Sequence, residues 1–261
     1  MSMQRPQVSV VAMSTGRYHE FVPALVAGAR EHILGLDRIF ILSDAQPPPD
    51  NQISWLPFGH LPWPYPTLLR YRAMSAYRDV LREASVLLYL DIDMRIQRDI
   101  DLGQLEGTLA VQHPGFVGIH PDELPYERRR ESTSCIPLGE GTAYFAGGIQ
   151  GGRAPAYLEA CTTIAAWVQA DLTNGIVPRW HDESAWNRYC TTRVPELVLP
   201  PTYCSPEYHD NADAYIVALD KDHDRLRETP LSARIARGWQ RSYASSRRAA
   251  RRLVGRSGRS R

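Results

Sequence analysis

The chain has 261 residues, 43% hydrophobic and 23% charged, enough apolar material for a globular core in one large domain or two small ones. No apolar run approaches the roughly 18 residues that a membrane span needs, and the longest, residues 84–90, suits a buried strand instead. The net charge of +1 conceals a division, because residues 232–261 carry ten arginines and no acid, leaving 20 basic against 29 acidic residues, a net of −9, on residues 1–231.

The opening Met1-Ser2-Met3-Gln4-Arg5-Pro6 lacks the long apolar stretch of a secretory signal, so a protein that stays inside the cell is expected. Val8 to Met13 is apolar and β-branched and predicts a strand; Ser14-Thr15-Gly16 interrupts it before a helical pattern from about Glu20 to His32. A second strand follows over Arg38 to Leu42, ended by Ser43-Asp44 and a proline-rich stretch. Helical spacing through Leu68, Leu69, Met74, Tyr77, Val80 and Leu81 predicts a helix over 67–84, before a strand over Val86 to Leu90. This alternation predicts an α/β fold with a largely parallel sheet flanked by helices. Further on, Pro114-Gly115 and the glycines from Gly147-Gly148 through Gly151-Gly152 predict turns in a second, more irregular half. Cys135, Cys161, Cys190 and Cys204 lie far apart without metal-ligand spacing, so free thiols are expected.

In such sheets ligands sit beyond the carboxyl ends of the strands. There stands Asp91-Ile92-Asp93, two carboxylates emerging from a continuous apolar strand with one residue between them. Two readings stand: a site for Mg²⁺ or Mn²⁺ completed by the oxygens of a diphosphate, or a solvated turn or helix cap.

A wider constellation bears on that choice. His113-Pro114-Gly115-Phe116, Tyr126-Glu127-Arg128-Arg129, Ile136-Pro137 and Gly139-Glu140-Gly141 precede Tyr144-Phe145-Ala146-Gly147-Gly148 and Gly151-Gly152. Asn174-Gly175-Ile176, Trp180-His181-Asp182-Glu183-Ser184, Asn187 and Tyr189 come next. In order and spacing these segments closely resemble glycosyltransferase family 6, which includes the histo-blood-group A and B transferases and the α-1,3-galactosyltransferases, over about residues 8–230. The resemblance implies a GT-A catalytic domain over residues 1–231. It also implies a uridine diphosphate donor carrying N-acetylgalactosamine or galactose, and an α-1,3 linkage made with retention. Matched residue by residue, Asp91 and Asp93 resemble the family's metal pair, with Ile92 between them at the donor, which implies dependence on Mn²⁺. Glu183 stands where the family places its candidate nucleophile, also facing the acceptor. A covalent route and a front-side displacement both need a carboxylate there. Asp182 and Arg70 resemble residues that hold the donor sugar, as do Ala146, Gly147 and Gly148. Met13, Thr15 and Tyr18 resemble the surround of the uridine. Lys221 and Arg227 resemble basic residues that close over the diphosphate. His113, Trp180 and Trp63 resemble the wall of the acceptor site. For Trp180 and His113 the other reading is a core tryptophan and a turn histidine; for Lys221 and Arg227 it is two solvated charges.

In the family, side-chain bulk beside the sugar's second carbon separates galactose from N-acetylgalactosamine. Gly115, Ala146 and Gly148 are all small, which favours N-acetylgalactosamine while leaving galactose open. A plain or fucosylated β-galactoside is the expected acceptor. An acceptor-contacting acid of the animal enzymes aligns with Pro206, with Glu207 as its neighbour, and Pro62, Pro64 and Pro66 around Trp63 are a further departure.

Beyond the match, Ile235, Trp239, Tyr243, Ala250 and Leu253 fall at helical spacing among arginines, with Ser246 breaking the stripe. Residues 232–261 read either as a basic amphipathic helix on an anionic leaflet or as a disordered tail; nucleic-acid binding lacks a supporting fold. The first reading places the protein in the cytoplasm, peripheral to the inner face of the cell membrane. Two other functions compete with transfer: hydrolysis of the nucleotide sugar, and a non-catalytic carbohydrate or nucleotide-sugar binding module.

Overall fold

A computed structural model describes residues 7–46, 48–103 and 105–227. Tertiary contacts divide the chain into two compact units, Met1–Lys221 and Asp222–Arg261. The expected domain boundary at 231/232 and the basic tail lie outside the described residues.

The first unit is built on a seven-stranded sheet. Its strands are β1 (Val8–Ser14), β2 (Leu36–Ser43), β3 (Ile53–Pro57), β4 (Val86–Leu90), β6 (Thr108–Gln112), β7 (Phe145–Arg153) and β8 (Leu197–Leu199), in the order β3-β2-β1-β4-β7-β6-β8. All neighbouring pairs are parallel except those made by β7, which runs against both β4 and β6. This is the α/β, GT-A type of architecture expected, with a mostly parallel central sheet. A smaller sheet joins β5 (Met94–Ile96), β10 (Ile216–Ala218) and β9 (Ser205–Pro206).

The central strands are apolar on both faces because helices cover both. On one face α2 (Tyr65–Ala76), α4 (Ala154–Thr173) and α5 (His181–Thr192) bury Leu68, Met74, Leu158, Ile164 and Trp186 against Leu87 and Tyr89 of β4. On the other, α1 (Val22–His32) and β5 pack Leu25, Ala29, Met94 and Ile96 against Val86, Leu88 and Leu90. Burial that alternates along one strand yet leaves no polar face is what turned residues 86–90 into a continuous apolar run. The helix expected over 67–84 is two, α2 and the single turn α3 (Arg78–Leu81), separated at Tyr77. The second unit is described from α6 (His223–Leu226), whose first turn is capped by the Asp222 carboxylate accepting from Asp224 and Arg225 N–H groups. All four cysteines are free thiols.

One expectation is corrected. The glycines 147, 148, 151 and 152 do not make turns; they lie within β7, in the middle of the sheet. The expected turn at Pro114-Gly115 is present as a 3-10 turn over Pro114–Phe116, and residues 113–144 hold no strand or α-helix, while β7 and the 20-residue α4 that follow are regular. Glycine in a strand interior marks close approach of another chain segment. A Cβ on Gly151 would run into the Leu87 carbonyl oxygen of β4, and one on Gly152 into the Gly107 carbonyl.

Candidate active site

Parallel β1 and β4 end at one edge of the sheet, and antiparallel β7 begins there. Leu90 pairs with Ile149, and one residue further the Asp91 N–H donates to the Gly148 carbonyl at 2.8 Å. The strand-end acids and the first glycines of β7 are therefore neighbours by register. A Cβ on Gly148 would lie 2.7 Å from Asp91 Oδ2, and a Cβ on Gly147 2.9 Å from Glu183 Cβ and 3.2 Å from Asp182 Oδ2. Only glycine lets β7 run between carboxylates of β4 and α5.

Arg70 of α2 joins these acids. Its side chain is 1% exposed; Nη2 lies 2.5 Å from Asp182 Oδ2 and donates to the Gly147 carbonyl at 2.6 Å, while Nη1 reaches Asp91 Oδ1 at 3.3 Å. The guanidinium lies 4.4 Å from the centroid of the Tyr89 ring, and the Tyr89 hydroxyl donates to the same Asp91 oxygen at 3.0 Å. Burial alone would lower the Arg70 pKa, yet Asp182 and its neighbours raise it well above the ordinary value. Burial pushes the Asp182 carboxyl up to about 6, with Arg70 pulling the other way. Such a pair is expensive to break, since removing one partner strands a buried charge at a cost of about 3–5 kcal/mol.

Glu183 is the next residue of α5. Its Oε1 accepts from the Tyr144 hydroxyl and its Oε2 from the Gly147 N–H, each at 2.8 Å. Burial pushes this carboxyl up to about 7, against the opposing pull of those two donors. One helical turn on, the Asn187 side chain accepts from the Phe145 N–H and donates to the Phe145 carbonyl, both at 2.8 Å, and so locks α5 to the start of β7. That lock sets where Glu183 projects. His113 lies against Phe116 and Tyr144, with ring centroids 4.7 and 5.8 Å away, and its Nδ1 accepts from Gly115 N–H. Burial lowers its pKa to about 4, so the imidazole is neutral at pH 7. Trp180 is 45% exposed beside His181, whose φ of 52° is unusual for a side-chain-bearing residue. The His181 ring meets Trp63 edge-on at 4.8 Å. Trp180 is thus not a core residue.

Asp93 lies beyond the network, 6% exposed, with the Lys221 ammonium seated on its Oδ2. The pairing of β10 with β5 brings it there: Ala218 opposes Met94, and the Leu219 N–H donates to the Asp93 carbonyl. Burial raises the Asp93 pKa and Lys221 opposes it. Lys221 is the chain's one lysine, and its Nζ lies 5.9 Å from the centroid of the Tyr18 ring. Met13 and Thr15 are buried at the end of β1, and Ile92 points into the core. Arg227 belongs to the second unit. Among the described residues no group of three or more His, Cys, Asp or Glu side chains is placed to hold a metal ion by itself. What the edge offers a cation is two hard carboxylates, one already carrying an ammonium. That donor set fits Mg²⁺ or Mn²⁺, which take one or two carboxylates and complete the shell with phosphate oxygens and water.

Residues without a role in the sequence reading join the site. Tyr89 is two positions before Asp91 on the same strand face, which period-two spacing makes legible. Gln150, fully buried in β7, accepts from Tyr71 at 3.0 Å and donates to the Gly147 carbonyl at 2.8 Å. A polar residue amid strand glycines was its signal. At the end of β1 the Ser14 hydroxyl meets His19 Nδ1 at 3.0 Å, and His19 Nε2 meets Asp44 at 2.8 Å, holding the loop that carries Thr15 and Tyr18. No sequence spacing announced that contact.

Known proteins resemble the chain over this region. It is 29% identical over 208 residues to human globoside alpha-1,3-N-acetylgalactosaminyltransferase 1, covering 75% of this chain and 60% of that protein. Against rat histo-blood group ABO system transferase 1 it is 25% identical over 215 residues, 77% of this chain and 61% of that one. Against the O-antigen biosynthesis glycosyltransferase WbnI of Escherichia coli it is 28% identical over 165 residues, 62% of this chain and 70% of that one. The chain thus spans about three fifths of the length of these animal relatives. The model of glycosyltransferase family 6 matches residues 67–228. That span runs from Arg70 through the strand-end acids and the β7 glycines to Glu183 and Lys221, and with it this chain belongs to glycosyltransferase family 6.

Proposed function

We propose that this protein transfers N-acetylgalactosamine, or galactose, in α-1,3 linkage and with retention, from a uridine diphosphate sugar to a β-galactoside acceptor. The observation that carries the reading is the joining of three carboxylates across one sheet edge. Arg70 ties Asp91 to Asp182, and Gly147 and Gly148 tie Glu183 and Asp91 to consecutive residues of β7. A site that must hold a diphosphate at one end of a sugar and a carboxylate at the other needs that connection.

Asp91 and Asp93 would hold Mn²⁺, which when bound supplies charge neutralisation for the departing diphosphate. Lys221 would exchange its contact with Asp93 for the diphosphate, adding a compact positive charge to the leaving group. Asp182 and Arg70 would orient the sugar hydroxyls. Glu183, fixed by Tyr144 and Gly147, would stabilise positive charge at the anomeric carbon. His113, neutral and set by Gly115, offers its other ring nitrogen to an acceptor hydroxyl, with Trp180 and Trp63 as the apolar wall. Gly148 is small because Asp91 leaves it no room, so discrimination at the second carbon falls to Gly115 and Ala146; a Cβ on Gly115 would meet nothing nearer than the His113 ring at 3.4 Å. That roominess favours N-acetylgalactosamine.

Incubation with both uridine diphosphate sugars, Mn²⁺ and an array of plain and fucosylated β-galactosides tests the reading, with products identified by mass spectrometry and NMR. An α-1,3-linked product is expected. Free sugar alone would instead identify a hydrolase of the nucleotide sugar, and binding without turnover a binding module.

A further inference from the structure

An open cavity of about 670 Å³ lies beside the acceptor wall, within the roughly 300–1,000 Å³ usual for small-molecule pockets. Tyr126, Glu127, Arg128, Arg129, Arg179 and His181 line it. Three arginines against one glutamate is a positive island on a chain whose residues 1–231 carry 20 basic and 29 acidic side chains, a net of −9.

The cavity's own ion pair does not neutralise it. Glu127 is 3% exposed and fully engaged: Arg129 pairs with it at 2.7 Å, and the Arg129 and Arg179 N–H groups donate to it at 2.9 and 2.8 Å. Arg128 spends its donors on neutral carbonyls, those of Pro121, Ile136 and Pro137. The Arg179 side chain is exposed, 5.7 Å from the centroid of the Trp180 ring. Among the described residues neither Arg128 nor Arg179 has a carboxylate within ion-pair distance. Two cationic charges therefore face the cavity uncompensated, and Arg179 holds its guanidinium where a ligand can reach it.

The cavity's position points to the acceptor. Its floor residue Tyr126 packs on Tyr144, ring centroids 5.5 Å apart, and Tyr144 donates to Glu183. Its rim residue His181 touches Trp63 and follows Trp180. A saccharide whose reacting sugar rests on Trp180 and Trp63 would extend its next residue into this space. We propose that the cavity is an acceptor subsite for an anionic group, a carboxylate or phosphate on the sugar adjoining the one that receives the transferred hexose, with Arg179 as its specificity-determining residue. The inference rests on the proposed transfer reading and narrows its acceptor from β-galactosides in general to acidic ones. Guanidinium suits this task because it binds carboxylate and phosphate bidentately and stacks on indole.

Three matched acceptors test it on the full chain: lactose, β-galactosyl-(1→4)-glucuronic acid and galactosyl-glucose 6-phosphate. The expected result is a KM about tenfold lower for one or both acidic acceptors than for lactose, with kcat similar. The arm that gains identifies carboxylate or phosphate as the natural group. In Arg179→Gln that preference ratio should fall to near one, in Arg179→Lys it should return in part, and in Arg179→Glu it should invert. Equal KM values for all three acceptors in the unaltered protein, or a preference that Arg179→Gln leaves in place, would overturn the subsite while leaving sugar transfer standing. Should no acceptor receive sugar, the transfer reading fails, and calorimetric binding of the same three disaccharides decides the cavity by itself. Acid-selective binding removed by Arg179→Gln upholds it, and binding without acid selectivity overturns it.

Discussion

The role proposed for Glu183 pulls against its protonation state. Its carboxyl is raised to about 7 from an ordinary value of 4.5, while stabilising positive charge requires the ionised form. The kcat should therefore climb as pH rises through about 7. Glu183→Gln should leave donor affinity, read by calorimetry, within a few-fold, while lowering kcat about a thousandfold; a variant that loses donor binding and keeps kcat would contradict the assignment. Stability runs the opposite way with pH. A carboxyl with a raised folded pKa binds its proton more readily when folded, so its contribution is fully present below 4.5 and is lost as pH rises through about 7. Glu183→Gln should accordingly melt higher than the unaltered protein at pH 8, with the difference vanishing below pH 4.5. At Asp93 the substitution to Asn removes one hard donor and also the partner of Lys221. Turnover in Asp93→Asn should lose its Mn²⁺ stimulation, and unchanged turnover of the unaltered protein in chelator would sink metal dependence.

Among the elements, β7 was the one least legible in advance. Its sequence, Phe145-Ala-Gly-Gly-Ile-Gln-Gly-Gly-Arg153, has the composition of a loop, and glycine loses more entropy in a strand than any other residue. Each glycine is there because something else occupies the place of its side chain: Glu183 and Asp182 at 147, Asp91 at 148, the β4 backbone at 151, and the Gly107–Thr108 backbone at 152. These neighbours come from distant stretches of chain, so no local pattern contains them. The consequence is measurable by chemical denaturation. Gly151→Ala should cost about 3 kcal/mol or more, because its neighbour is backbone that cannot swing aside. Gly115→Ala, whose Cβ meets only the His113 ring at 3.4 Å, should shift stability by less than about 0.5 kcal/mol. By contrast β1 and β4 were legible because burial on both faces leaves an unbroken apolar run.

At the scale of the whole chain, charge is partitioned: residues 232–261 hold ten of the 30 basic side chains and none of the 29 acids. Deleting 232–261 should leave turnover on soluble acceptors within about twofold and abolish sedimentation with phosphatidylserine vesicles at low salt, each cation adding on the order of 1 kcal/mol near such a surface. Equal sedimentation of both forms would remove the membrane role. Among the described residues no helix is long and apolar enough to cross a membrane. The sequence by itself determined the alternation of strands and helices, the strand-end position of Asp91 and Asp93, and the family, because periodicity and contiguous motifs are local properties of a chain. Only the tertiary structure decided that Arg70 joins Asp91 to Asp182, that Lys221 rests on Asp93 some 128 positions away, and that three arginines crowd one cavity beside Trp180. Those contacts join stretches far apart in the sequence, and distance along a chain carries no information about convergence in space.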